Sequence, residues 1–310
     1  MKTRITELLN IEYPILQGAM AWISYAPLVA AVSEAGGLGI IGGTIMTPNQ
    51  LRDEIHQVRD LTDKPFGVNI ISLSPWIAQI LELLVEEQVL IATYGTGNPR
   101  KIIEQLKPGG VMSFPVVPSP NTAKRAQDDG ADGVIVSGRE GGGHVGDLTT
   151  MVLVPQARDV VDIPMVAAGG IGDARGMVAA FALGAEAIQM GTRFICTKEA
   201  VCHDNAKEFI VRSGPRDTLV TGNITGLPVR CLKNKMSQTY AEMESTGKPK
   251  AMMAMFGAGK MQQAFQLGDI EDGSVMAGQV CGLIDDVPTV AELIQSMMAG
   301  CDRVLDRLPR

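Results

Sequence analysis

Short apolar runs recur along the first two thirds of the chain, about one βα unit apart. They are Pro14–Gly18, Leu38–Ile41, Phe66–Ile71, Val89–Thr93, Val111–Val117, Gly133–Val136, Met165–Ala168 and Ala185–Met190. Most are too short for a helix and are bounded by glycine, proline or polar residues, which predicts buried strands. Between them the apolar positions take helical spacing over Tyr25–Ala35, Pro48–Leu61, Trp76–Glu87, Pro99–Leu106, Thr122–Asp129 and Ala174–Leu183. Strands alternating with helices imply parallel βαβ units, and eight of them predict an α/β fold closed as a (β/α)8 TIM barrel. An open doubly wound sheet is the other arrangement, but it usually carries its nucleotide loop in the first βα turn. Gln17-Gly-Ala-Met-Ala21 has no such pattern.

The rhythm stops beyond Cys196. Residues 201–286 show helical patterns and glycine breaks without clear strands, which predicts a smaller helical cap subdomain on a barrel spanning 1–200. A final amphipathic helix over Val287–Leu308, within 287–310, packs back on the barrel. The methionine-rich stretch Met252–Met261 is either core filler or an adaptable wall for an acyl chain.

Composition narrows the partners. A formal charge of -7, with no basic run, argues against nucleic acid or an anionic membrane as the main partner. The five cysteines are odd in number and scattered, without a CxxC pair, so they are expected as free thiols in a reducing compartment, with no metal site. The first residues lack an apolar signal core and no run approaches 18 apolar residues, which predicts a cytoplasmic protein.

In a barrel of this kind the chemistry sits just after the strands. Gly169 and Gly170, with Gly172, follow the seventh run and precede a helix, and Gly191-Thr192 follows the eighth. Without Cβ atoms such turns let backbone N–H groups approach an anion, and this pair of loops is a usual phosphate site in barrels. Ordinary βα turns, where glycine is common for steric reasons, are the other reading. Gly18, Ala19, Met20 and Ala21 after the first run form a small-residue segment against which a flat ligand could lie. Asn69 is a lone polar residue at the end of the third run, so it either braces a neighbouring loop or holds a polar ligand. After the sixth run, Ser137-Gly-Arg-Glu-Gly-Gly-Gly-His144 places a single histidine in a glycine-rich loop, where it is suited to proton transfer. A solvated or structural role is the default for the other two histidines, His56 and His203.

These residues carry a resemblance. Pro14–Trp22, Ser33–Gly43, Thr62–Ile70, Gly141–Gly146, Ala167–Ile171, Gln189–Phe194 and Gly273–Gln279 together resemble the FMN-dependent enoyl-acyl-carrier-protein reductase II (FabK-type) enzymes of the nitronate monooxygenase superfamily. The resemblance runs nearly end to end. It implies a homodimeric FMN barrel that reduces trans-2-enoyl thioesters on acyl carrier protein with NADH or NADPH. It also implies that Gly169, Gly170, Gly191 and Thr192 hold the FMN phosphate, that Gly18–Ala21 lie along the isoalloxazine, and that Asn69, Gln189 and Met190 contact the flavin. His144 is the family's catalytic histidine by motif. Where the family commonly has Glu or Gln this chain has Ser137, and where it has Ala or Ser this chain has Gly141. Serine is too short to replace a carboxamide directly, so its flavin contact is left open or water-bridged. The same motifs are compatible with a nitronate monooxygenase, with a flavin carrier lacking turnover, or with a barrel for a sugar phosphate.

Overall fold

The computed structural model describes residues 1–95 and 97–307. Its strands are β1 (Ile15–Gln17), β2 (Gly39–Gly42), β3 (Phe66–Ile71), β4 (Ile91–Gly95), β5 (Met112–Val117), β6 (Val134–Ser137), β7 (Gly143–His144), β8 (Met165–Ala168), β9 (Ala187–Met190), β10 (Thr218–Thr221) and β11 (Val229–Leu232). Eight of them pair in parallel in the order β1-β9-β8-β6-β5-β4-β3-β2, and a bridge between Leu16 and Leu38 links the two ends of this sheet. The predicted TIM barrel is therefore present, with β9 rather than a sixth or seventh strand lying beside β1.

Every residue in five of these strands is buried or nearly so, because helices cover the outside and side chains fill the inside. Leu16, Ile40, Ile91, Phe114, Ile135, Val166 and Ala187 pack with Ile5 and Leu9 of the N-terminal helix Arg4–Leu9, which joins the strands' interior cluster. The helix Pro48–Leu61 begins at the predicted residue because Thr47 and Gln50 form a reciprocal capping box ahead of Pro48. The C-terminal helix runs Val290–Leu305 and packs on the helices Ala174–Ala182 and Ala26–Glu34. Its predicted end, Leu308, lies outside the described residues, as do Pro309 and Arg310.

One expectation needs correction. The segment 201–286 is not without strands: β10 and β11 form an antiparallel hairpin, and β7 from the glycine-rich loop adds to its edge. Each strand is only two to four residues long and the hairpin loop spans Gly222–Pro228, so neither a period-2 pattern nor a two-residue turn signal marks it. The remaining elements there are helices, including Asp204–Val211, Lys235–Ser245, Lys250–Gly257 and Lys260–Phe265. Among the described residues no helix is long and apolar enough to cross a membrane. All five cysteines are free, as expected.

Candidate active site

The loops after the strands converge at one end of the barrel, and glycine contacts show how tightly. A Cβ on Gly169 would lie 2.7 Å from the Gly138 carbonyl oxygen, and one on Gly170 would lie 3.2 Å from Glu140 Cβ. Both glycines have positive φ, 91° and 74°, which an L side chain rarely adopts. The turn after β8 is thus moulded against the loop after β6. Among the described residues, the backbone N–H groups of Gly170, Ile171, Gly191 and Thr192 donate to no protein acceptor. Two neighbouring strand ends therefore present unpaired donors, the arrangement an anion requires.

The segment after β1 lies beside them. A Cβ on Gly18 would lie 3.2 Å from Gln189 Cγ, and one on Gly191 would lie 3.6 Å from Met20 Sδ. The backbone of this segment is pinned from within the barrel. Gln17, fully buried, donates to the Gly18 carbonyl at 2.6 Å and to Ser24 Oγ at 2.8 Å, and accepts from Ile40 N–H at 3.0 Å. Ser24 Oγ in turn accepts from Met20 N–H at 2.9 Å. Gln17 was not singled out from sequence, although a glutamine inside an otherwise apolar buried strand is the signal that would have found it.

The sequence-derived candidates divide by what they present. Gly18 is buried while Ala19, Met20 and Ala21 are half-buried at the mouth, as are Gln189 and Ser137. Asn69 braces β4: its Nδ2 donates to the Thr93 carbonyl at 3.0 Å and to Thr93 Oγ1 at 2.9 Å, and its Oδ1 accepts no hydrogen bond among the described residues. Met190 has its side chain in the main core, and its carbonyl accepts from Gly18 N–H at 2.8 Å, so it supports the strand end and turns no side chain to the mouth. Thr192 is buried, with its Oγ1 accepting from Gly278 N–H at 2.9 Å. Its hydroxyl ties down the returning segment 273–279.

His144 is the last residue of β7 and is paired with Val229 of β11. It is exposed at the mouth, near the Pro228 carbonyl, the oxygen that accepts Val145 N–H at 3.1 Å. Partial burial holds the imidazole below its ordinary pKa of 6.5, against the raising effect of the Pro228 bond. The residue is held by the hairpin, not by the barrel.

Three further residues hold this loop and were invisible in the sequence. Glu140 accepts from Thr150 N–H with both carboxylate oxygens at 3.0 Å, capping the helix Thr150–Arg158 from a distance. Thr150 Oγ1 donates to the Gly169 carbonyl at 2.8 Å, so one residue pair joins the loop after β6 to the turn after β8. Arg230, buried on β11, donates to the Arg139 carbonyl at 3.1 Å and to Thr218 Oγ1 at 2.8 Å. Over the top, Gln279 N–H donates to the Glu140 carbonyl at 2.9 Å, and Met276 Sδ lies 3.8 Å from where a Cβ on Gly143 would stand.

His56 and His203 take structural roles. His56 lies 3.1 Å from Glu87 on the outer surface, and His203 caps the helix Asp204–Val211 through Nδ1. No cluster of metal-ligand side chains occurs among the described residues.

The family profile described as nitronate monooxygenase matches residues 2–81 and 72–300. A protein from Rhodococcus jostii named (3aS,4S,5R,7aS)-5-hydroxy-7a-methyl-1-oxo-octahydro-1H-indene-4-carboxyl-CoA dehydrogenase is 34% identical over 99% of this chain and 98% of its own. A probable nitronate monooxygenase from Staphylococcus aureus is 32% identical over 90% of this chain and 91% of its own. Among solved structures, FabK from Thermotoga maritima is 47% identical with a TM-score of 0.97, covering 99% of this chain and 98% of that one. A nitroalkane oxidase from Streptomyces ansochromogenes is 26% identical with a TM-score of 0.87, covering 98% and 99%.

Proposed function

The chain belongs to the nitronate monooxygenase family, as an oxidoreductase of the FabK type, and from that premise we propose that it binds FMN and reduces trans-2-enoyl thioesters on acyl carrier protein. The product is the saturated acyl thioester, NADH or NADPH is the reductant, and the step is the last of a bacterial fatty-acid elongation cycle. The observation that carries this reading is His144, set on β7 by its pairing with Val229 of β11, beside two loops with free N–H donors.

The residues fit the cofactor. Gly169 and Gly170 have the positive φ that a close phosphate cradle requires, and a side chain at Gly169 would collide with the loop after β6. Gly170, Gly191 and Thr192 would hold the phosphate through backbone N–H groups, the Gly18–Ala21 segment would face the ring, and Asn69 Oδ1 and Gln189 would accept or donate at its polar edge. When bound, the flavin supplies the hydride chemistry between nicotinamide and the enoyl β-carbon. The chain's own part is orientation and charge. As hydride reaches the β-carbon, negative charge develops on the thioester oxygen and the α-carbon needs a proton. His144 in its protonated form can stabilise the first and supply the second. Ser137 does not reach as a carboxamide would, and a bridging water would complete that contact.

Residues 1–200 serve as the FMN barrel and 201–286 as the lid over the thioester in this reading, with β11 reaching in to hold His144. The resemblance to FabK-type enzymes supports a cytoplasmic homodimer. Replacing His144 with alanine is expected to leave FMN bound and to lower enoyl reduction by about 100-fold or more, a typical loss for a positioned proton donor; unaltered turnover would remove His144 from the mechanism.

The family profile and the staphylococcal relatives favour a second reading, oxidation of alkyl nitronates with oxygen. The same barrel and histidine serve both chemistries, so the two are separated by substrate and not by fold.

A further inference from the structure

Trp22 has φ of 68°, a conformation that crowds a bulky side chain against its own backbone and persists only where the surroundings enforce it. The Met20 carbonyl accepts from Ile23 N–H at 3.1 Å and from Ser24 N–H at 2.9 Å, which closes a turn around Trp22, and the lid adds a contact of its own. Gln266 Nε2 donates to the Trp22 carbonyl at 2.6 Å and lies 3.4 Å from the Val201 carbonyl. Gln266 is itself held from behind: His203 N–H donates to the Phe265 carbonyl at 2.7 Å, and Asn205 Nδ2 donates to the Gly268 carbonyl at 3.0 Å. The His203 ring lies against Gly268, where a Cβ would come within 2.5 Å of Nδ1. The opposite end of the same loop is fixed by Gln17 and Ser24 inside the barrel. The Gly18–Trp22 segment is therefore strung between a barrel anchor and a lid anchor.

We propose that Gln266 is a positioning residue through which the lid sets the flavin-facing loop: its amide keeps Trp22 in the strained conformation that presents the Gly18–Ala21 backbone to the cofactor. This inference rests on the reading of Gly18–Ala21 as the flavin face. Two consequences are specific to it. Removing the amide donor weakens FMN uptake although Gln266 touches no part of the phosphate loops. Replacing Trp22 by glycine, which takes a positive φ without strain, makes the amide unnecessary.

The test is a double-mutant cycle on the full chain, stripped of FMN and titrated with it, with Kd read from quenching of free flavin fluorescence. Gln266→Glu keeps the shape and removes the donor. It is expected to weaken FMN binding at least tenfold in the Trp22 background and less than twofold in the Trp22→Gly background. Gln266→Met, which removes the donor without adding charge, repeats the cycle if the glutamate variant does not fold. An equal loss in both backgrounds is what a merely structural glutamine would give, and it overturns the proposal; so does an unchanged Kd in the Trp22 background. A parent protein that takes up no FMN overturns the flavin reading and this inference together, whereas a parent that binds FMN as tightly as its Gln266→Glu variant overturns this inference alone.

Discussion

Gly141 and Gly142 are neighbours of the same residue type with no positive φ, yet alanine is expected to be costly at Gly142 and tolerated at Gly141. At Gly142 a Cβ would stand 2.7 Å from the Ala277 carbonyl carbon, 2.8 Å from Ala277 Cα and 2.8 Å from Gly278 N. That is roughly 0.7 Å inside ordinary carbon–carbon contact. All three atoms are backbone, so no side-chain rotation relieves the clash. Segment 277–278 is fixed in turn by Thr192 and Glu140, and a Cβ on Gly278 would meet the Glu140 carbonyl at 2.6 Å. At Gly141 the nearest atom is the Gly138 carbonyl oxygen at 3.3 Å and the next is Gly169 Cα at 3.7 Å, a fit that a few tenths of an ångström accommodate. Overpacking of this severity costs about 3 kcal/mol, the upper end of the usual range, because two backbones must part. In a chain of this size that lowers Tm by roughly 5 °C. Gly142→Ala is therefore expected to melt about that much earlier and to reduce enoyl thioester at least tenfold more slowly, with Gly141→Ala close to the parent in both. Differential scanning calorimetry and steady-state NADH or NADPH oxidation measure the two effects. A Gly142→Ala protein that melts within 1 °C of the parent would refute the claim that segment 277–278 clamps the histidine loop.

Three further outcomes follow from the same geometry. Because partial burial lowers the His144 pKa from 6.5, the imidazole is neutral at pH 7, and the proton-dependent step should accelerate as pH falls toward that depressed value. The folded state disfavours the charged ring, so this residue's contribution to stability is present above pH 6.5 and is lost as pH falls; a ring titration by NMR with a midpoint above 6.5 would contradict both statements. Asn69→Leu removes the Oδ1 acceptor and the brace to Thr93, and is expected to weaken FMN binding about tenfold, measured by flavin fluorescence, with one lost hydrogen bond of about 1.5 kcal/mol as the cause. Arg230→Met leaves the Arg139 carbonyl and Thr218 hydroxyl without their donor and should cost about 2 kcal/mol in urea unfolding, while kcat falls with FMN still bound.

The barrel was readable because its strands are apolar on both faces and recur at one βα spacing, so position along the chain sufficed to place Gly169, Gly170, Gly191, Thr192 and His144 on one end. What local pattern could not convey was pairing between distant short segments. Gly143–His144 reads as loop because two residues carry no period, and only its partner Val229, far along the chain, makes it a strand. For the same reason Arg230 and Gln266 look like ordinary surface residues in sequence, although one holds the Arg139 carbonyl and the other the Trp22 carbonyl. For Met190 the resemblance implies a flavin contact. The alternation of side chains sends it into the core and leaves only its carbonyl beside Gly18.

The central claim is that this barrel moves hydride from a nicotinamide to an enoyl thioester through its bound flavin, with His144 assisting. The most direct measurement is anaerobic: the purified protein is mixed with NADH or NADPH, bleaching of the flavin is followed, and a trans-2-enoyl thioester is then added. The account predicts bleaching, then reoxidation on adding the thioester, with one saturated thioester formed per flavin. Reduced flavin that stays bleached with the thioester, in a protein that consumes an alkyl nitronate with oxygen, would contradict it and assign the monooxygenase reaction instead.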